Sequence, residues 1–110
     1  MSKTWKVFEL TVAKFFNTNR TPLSGSNSRH DTTSDTLHPT LYIEAKRDRR
    51  YVGKTLGDLL HNTAKEAKKE HKTPVVALRE HNKRGFWLII NSFDFEKVVK
   101  IYNDQLSKKL

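Results

Sequence analysis

A chain of 110 residues, 35% hydrophobic and 30% charged, is long enough for one compact domain with a single core and too short for two. Cysteine is absent, which removes disulfides, thiol catalysis and Cys-type zinc fingers; no apolar run approaches the roughly 18 residues of a membrane span, and Met1 to Trp5 carries no signal-peptide core. The expectation is a cytoplasmic protein with no membrane contact, and its excess of twenty-one Lys and Arg over twelve Asp and Glu, a net +9, makes nucleic acid the expected partner.

From Thr4 to Phe16, the residues Trp5, Phe8, Val12, Phe15 and Phe16 recur at spacings of three and four, which predicts an amphipathic helix packed on a core. Glu9 projects at the edge of that apolar stripe, where a carboxylate is either a surface acid paired with a lysine or a member of a site. Residues 17–36 turn to Asn, Thr, Ser, Gly, Arg, His and Asp, with Leu23 their one large hydrophobe, and read as a loop. A polar loop this long in a small domain is where a site is expected. Thr40 to Lys46 reads as a strand with Leu41, Ile43 and Ala45 on one face and Tyr42, Glu44 and Lys46 on the other.

Residues 47–54 form a basic connector, and residues 41–110 as a whole hold sixteen of the basic side chains. From Thr55 to about His71, Leu56, Leu59, Leu60, Thr63, Ala64 and Ala67 mark a second helix, capped by Thr55 with Asp58 three residues on, whose other face carries Lys65, Lys68, Lys69 and Lys72. Thr73-Pro74 is expected to stop it, Val75 to Leu78 to form a buried strand, His81 to Gly85 a turn, and Phe86 to Ile90 the partner strand. Ser92 is the expected cap of a last helix built on Phe95, Val98, Val99, Tyr102 and Leu106. The order predicts a single α/β (α+β mixed) domain, a small central mixed sheet flanked by helices, with residues 92–110 as a helical extension.

Hydrolysis of a phosphodiester needs a hard divalent ion held by carboxylates, a positioned water and positive charge where the oxyanion develops. Glu-x-Lys occurs at Glu44/Lys46, Glu66/Lys68 and Glu70/Lys72. On a helix, residues two apart diverge by about 200°, so only the strand pair Glu44/Lys46 can act on one bound atom. Asp35 lies nine residues earlier, beyond a His38-Pro39 turn that folds it back beside the strand; Asp31 is its competitor, and Glu9 is a third acid if the first helix packs there. Such an oxygen set suits Mg²⁺ or Mn²⁺ rather than zinc, and the five histidines have no metal spacing.

Glu9, the run Arg20-Thr21-Pro22-Leu23-Ser24-Gly25-Ser26, Asp35, Ile43-Glu44-Ala45-Lys46 and the later Pro-Val-Val-Ala-Leu strand together resemble the archaeal-type Holliday junction resolvases of the PD-(D/E)xK nuclease superfamily. The match runs from about residue 5 to about residue 90, with Ser34 standing where that superfamily usually has its proline. The resemblance implies a restriction-endonuclease-like core in which Asp35, Glu44 and the Ala45 carbonyl ligate Mg²⁺ or Mn²⁺ and Glu9 completes the acidic cluster. It further implies that Lys46 orients the attacking water, that Ser24 contacts the scissile-side backbone with Ser26 in the same loop, and that two copies form a symmetric homodimer on a four-way junction.

Independently of that resemblance, Arg20, Arg29 and His30 flank or lie within the polar loop, and Arg47, Arg49, Arg50 and Lys54 follow the candidate lysine, so both segments are placed to grip DNA phosphates. The expected function is a metal-dependent, structure-selective endonuclease of branched DNA. Its rivals are a non-catalytic basic DNA-binding module, and a nuclease of the same fold acting on flaps, forks or linear DNA.

Overall fold

The computed structural model describes residues 2–22, 32–47, 53–80 and 83–109. In chain order these form helix α1 (Ser2–Phe15), strand β1 (Leu41–Lys46), helix α2 (Gly53–Lys69), strands β2 (Thr73–Leu78) and β3 (Trp87–Ile89), a 3-10 turn (Ser92–Asp94) and helix α3 (Phe95–Lys109). The sheet order is β1-β2-β3, with β1 parallel to β2 and β3 antiparallel to it. β1, α2 and β2 therefore form a crossover unit, as parallel neighbours require. The expected mixed α/β architecture with helices flanking a small mixed sheet is present. Among the described residues no helix is long and apolar enough to cross a membrane.

The alternation read in β1 decides which helices lie on which face. Leu41 and Ile43 join Val75 and Ala77 of β2 in a buried cluster with Phe8, Val12 and Phe16 of α1 and Val98 of α3. Full burial of each large side chain there contributes about 1.5–3 kcal/mol. The opposite face, carrying Tyr42, Glu44, Pro74 and Val76, is covered by α2. In α3 the inward residues are Val98, Ile101, Tyr102 and Gln105, whereas Phe95, Val99 and Leu106 are exposed, so the apolar stripe expected for this helix is rotated. The Trp5 side chain lies outside the described set.

Local backbone chemistry corrects several expected boundaries. The second helix begins at Gly53, so Thr55 and Asp58 lie inside it rather than forming its cap. It stops at Lys69 because His71 takes a left-handed backbone (φ 56) while the Lys72 N–H bonds the Ala67 carbonyl and the His71 N–H bonds that of Lys68. α1 ends the same way, with Asn17 (φ 55) in the left-handed position. Pro74 is thus not a helix stop but the second residue of β2. The Thr73 and Arg79 N–H groups bond carbonyls on the β1 side, so Pro74 turns its missing donor the other way, where β3 reaches only as far as Val76. Asn91, not Ser92, caps the last helical segment, accepting the Phe93 N–H. Gly85 has φ 68 in the turn before β3, a conformation that suits glycine.

The expected loop is clasped at its base. Arg20 and Thr36 form an antiparallel bridge, with the Thr21 N–H on the Asp35 carbonyl and the Leu37 N–H on that of Asn19. Beyond it Thr32, Ser34, Thr36 and His38 are all buried, an alternation made of polar residues. Each side chain accepts the N–H two residues on: Ser34 N–H to Thr32, Thr36 N–H to Ser34, His38 N–H to Thr36 and Thr40 N–H to His38 Nδ1. These local bonds satisfy backbone donors that would otherwise be stranded without a neighbouring strand.

Candidate active site

The outer edge of β1 is where the polar segment docks. Thr40 and Lys46 direct their carbonyls at β2, so the intervening odd residues 41, 43 and 45 present their N–H and C=O groups to the opposite edge. Each donor is taken there: Leu41 N–H by His38 Nδ1, Ile43 N–H by Ser34 Oγ at 2.9 Å, and Ala45 N–H by Asp35 Oδ2 at 2.8 Å. Ser34 Oγ also donates to the Ile43 carbonyl, and the Asp35 N–H bonds the same oxygen. Asp35 is fixed by both backbone and side chain beside the end of β1, as the His38-Pro39 turn predicted. The Ala45 carbonyl faces the same edge as the Asp35 carboxylate.

Three acids influence one another at this end of the strand. Burial first, then the charges of Glu44 and Glu9, push the Asp35 carboxyl up to about 7 against the partial relief of the Ala45 N–H and Lys46. Glu9, nearly buried on α1, is also raised, chiefly by desolvation, although Arg20 grips its Oε1 at 2.7 Å and pulls the other way. Lys46 Nζ lies 3.1 Å from Glu44 Oε2, as two residues on one strand face should. Perturbed carboxylates beside a lysine make this end of β1 the candidate site.

Donor chemistry and geometry fit a cation only in part. Among the described residues no group of three or more His, Asp or Glu side chains converges closely enough to hold a metal ion, so the expected set of Glu9, Asp35 and Glu44 does not close around one point. The physical reason is that each acid is already engaged, Glu9 by Arg20, Glu44 by Lys46 and Asp35 by a backbone N–H. In chemistry, Asp35 and Glu44 are hard oxygen donors whose charges act on each other, and the Ala45 carbonyl is directed to the edge on which Asp35 docks, a donor set of the kind that suits a divalent ion. A divalent ion, when bound, would supply Lewis acidity and a more acidic water.

Arg20, expected on DNA phosphates, is partly buried and pairs with Glu9 through its Nε. Arg47 lies partly exposed directly beyond Lys46. Ser24, Ser26, Arg29, His30, Asp31, Tyr51, Arg49, Arg50 and the side chain of Lys54 lie outside the described residues. The Glu70/Lys72 pair, set aside on helical geometry, does meet at 3.3 Å because α2 has ended before it. Glu70 also accepts the Thr32 hydroxyl and the Thr33 N–H, and Thr33 Oγ1 lies 2.7 Å from the Tyr42 hydroxyl, so this clasp ties the loop's return to α2 and β1. Ser34, which locks the segment beside Asp35 to Ile43, and His38, which anchors the same segment at Thr40 and Leu41, are residues that hydrophobic periodicity does not single out. Their signal was the alternation of Thr32, Ser34, Thr36 and His38.

His38 is fully buried, and its Nδ1 accepts from two backbone donors, Thr40 and Leu41. The proton therefore sits on Nε2, 2.8 Å from the Gln105 side-chain amide. That amide must present its oxygen to the ring, which also gives Gln105 Oε1 the partner it otherwise lacks. Burial holds the His38 pKa below its ordinary value, in agreement with a neutral ring.

No protein-family model, curated protein or solved structure matches this chain.

Proposed function

We propose that this protein is a metal-dependent, structure-selective endonuclease that cuts branched DNA, acting as a homodimer on four-way junctions. The observation that carries the reading is the docking of the Asp35 carboxylate on the Ala45 N–H at 2.8 Å, on the strand whose Glu44 and Lys46 pair at 3.1 Å. A divalent cation held by Asp35 and Glu44 would offset the repulsion between them, which stands second to burial among the causes that raise the Asp35 pKa.

In this reading Asp35 and Glu44 hold Mg²⁺ or Mn²⁺ with the Ala45 carbonyl, and Glu9 acts through water or after release from Arg20. Lys46 orients the attacking water and stabilises charge on the phosphate. Ser34, His38 and Gln105 are positioning residues that keep Asp35 against the edge of β1. Arg47 and the neighbouring basic residues grip the flanking phosphates, with Ser24, Ser26, Arg29, His30, Arg49, Arg50 and Lys54 as the remaining proposed DNA contacts.

A second reading rests on the engagement of every one of these acids by an internal partner, which a non-catalytic DNA-binding module would also display. Incubation with a synthetic four-way junction and Mg²⁺ separates the two. Paired nicks that disappear with EDTA and in Glu44→Ala or Lys46→Ala support the nuclease. Junction binding that is indifferent to Mg²⁺, with no cleavage at any ion concentration, leaves the binding module. Equal cutting of linear duplex removes the structural selectivity while keeping the enzyme.

A further inference from the structure

β3 is the second edge of the sheet, and among the described residues no strand pairs with its outer side. Its register with β2 turns the backbone groups of Trp87 and Ile89 inward, because Val76 and Leu78 face away from β1. The N–H and C=O of Leu88 therefore point out from the open edge. Edge strands in water-soluble folds are normally blunted by lysine, proline or a bulge. This one is blunted only by its three-residue length: residues 86–95 contain no basic side chain and a single acid, Asp94, in a chain with twenty-one Lys and Arg.

The segment running from β3 into the start of α3 carries a run of exposed apolar side chains. Trp87 is 63% exposed, Phe93 95%, Phe95 56% and Leu88 37%, all within nine residues. With about 150–250 Å² per aromatic ring, the three aromatics alone leave roughly 400 Å² of apolar surface in water. That is about half of the ~800 Å² each partner contributes to a stable protein interface, before the strand backbone, Leu88 and Val99 are added. Charge is absent from residues 86–93 themselves, while Glu80 accepts the Trp87 indole N–H and Lys83 and Arg84 border the same hollow, a charged rim around exposed aromatics.

We infer that this face takes a second copy of the chain, with the two β3 strands pairing antiparallel across a two-fold axis at Leu88. The geometry is self-complementary. An axis at Leu88 lets the two outward-facing Leu88 backbones exchange N–H···O=C bonds, and it sets Trp87 of one copy opposite Ile89 of the other on the α2 face. Ile89 is a wall of an apolar cavity of about 360 Å³, lined also by Leu60, Ala64, Pro74 and Val76. The indole of the neighbouring copy thus arrives at the mouth of an apolar hole. The inference deepens the proposed function by naming the surface on which its two copies meet, and its functional meaning rests on that reading.

The test is sedimentation equilibrium of nuclease-treated protein without DNA or metal. The wild type should be dimeric at about 100 µM, and its dimer should tighten with added salt, because screening weakens repulsion between two copies of charge +9. Phe93→Lys and the double variant Trp87→Lys/Leu88→Lys should each raise the dimer dissociation constant about 30-fold or more, as loss of a hot-spot aromatic does. Their thermal melts at dilute concentration should match the wild type, since these side chains are exposed. A wild type that stays monomeric at about 100 µM, or a dimer that neither variant weakens, overturns the inference. Because neither DNA nor metal is present, absence of the dimer leaves the cleavage reading intact, and a dimer without cleavage leaves this one.

Discussion

Replacing Asp35 with Asn should stabilise the fold in alkaline solution while abolishing cleavage. The Asp35 carboxyl is raised from 3.8 to about 7 by burial and by the charges of Glu44 and Glu9, so folding favours its protonated form. The stability linked to this group is fully present below the unfolded pKa and is lost as pH rises from about 4 through about 7. Three units correspond to about 4 kcal/mol, of which about 1.7 is already lost at pH 5 and the whole by pH 8. Asn keeps an acceptor for the Ala45 N–H and carries no charge. Its advantage over the wild type should therefore grow by about 2.5 kcal/mol between pH 5 and pH 8, or roughly 10 °C in melting temperature. Melts followed by circular dichroism in EDTA at the two pH values read this directly. In Mg²⁺ at about 100 times its dissociation constant the wild type should regain about 2.7 kcal/mol, and the variant little. An Asn variant no more stable than wild type at pH 8, or one whose advantage is the same at both pH values, would refute the electrostatic argument.

Ser34→Ala should cost about 2–3 kcal/mol in urea unfolding, because it strands the buried Ile43 N–H and removes a second bond to the Ile43 carbonyl; a loss under about 0.5 kcal/mol would contradict the proposed edge lock. His38 should titrate below 6.5 with its proton on Nε2 in imidazole NMR, and its contribution to stability, present above 6.5, should fall away as pH drops through the lowered folded value. A proton on Nδ1 would overturn that assignment. If a dimer neutralises about 6–10 phosphates, junction affinity should fall with a log-log salt slope of about −5 to −9, and a flat response would remove the charge argument.

Strand parity made half of the candidate site legible in the sequence. Glu44 and Lys46 can be paired from the sequence because β1 alternates without Gly or Pro, and Asp35, with Asp31 as its competitor, can be brought to them because a Pro-containing turn precedes that strand. The remainder depends on contacts that hydrophobic periodicity does not register. Thr32, Ser34, Thr36 and His38 alternate as a strand does, but their buried side chains are polar and bond to the local backbone, so an apolar pattern search reads loop. The rotation of α3 has the same origin. Gln105 lies on the stripe of α3 that Val98, Ile101 and Tyr102 pack against the core, where it meets the buried His38 ring, and Leu106 on the next position is turned outward. Arg20 illustrates the limit most clearly. Its charge suggested a phosphate ligand, yet the partial burial of Glu9 by α1 creates a local demand for a cation that the nearest guanidinium meets at 2.7 Å. Arg20 neutralises Glu9 in the free protein and stands at the base of the polar loop. A phosphate that competes for Arg20 would release Glu9 toward Asp35 and Glu44, so DNA binding and cation affinity should strengthen each other.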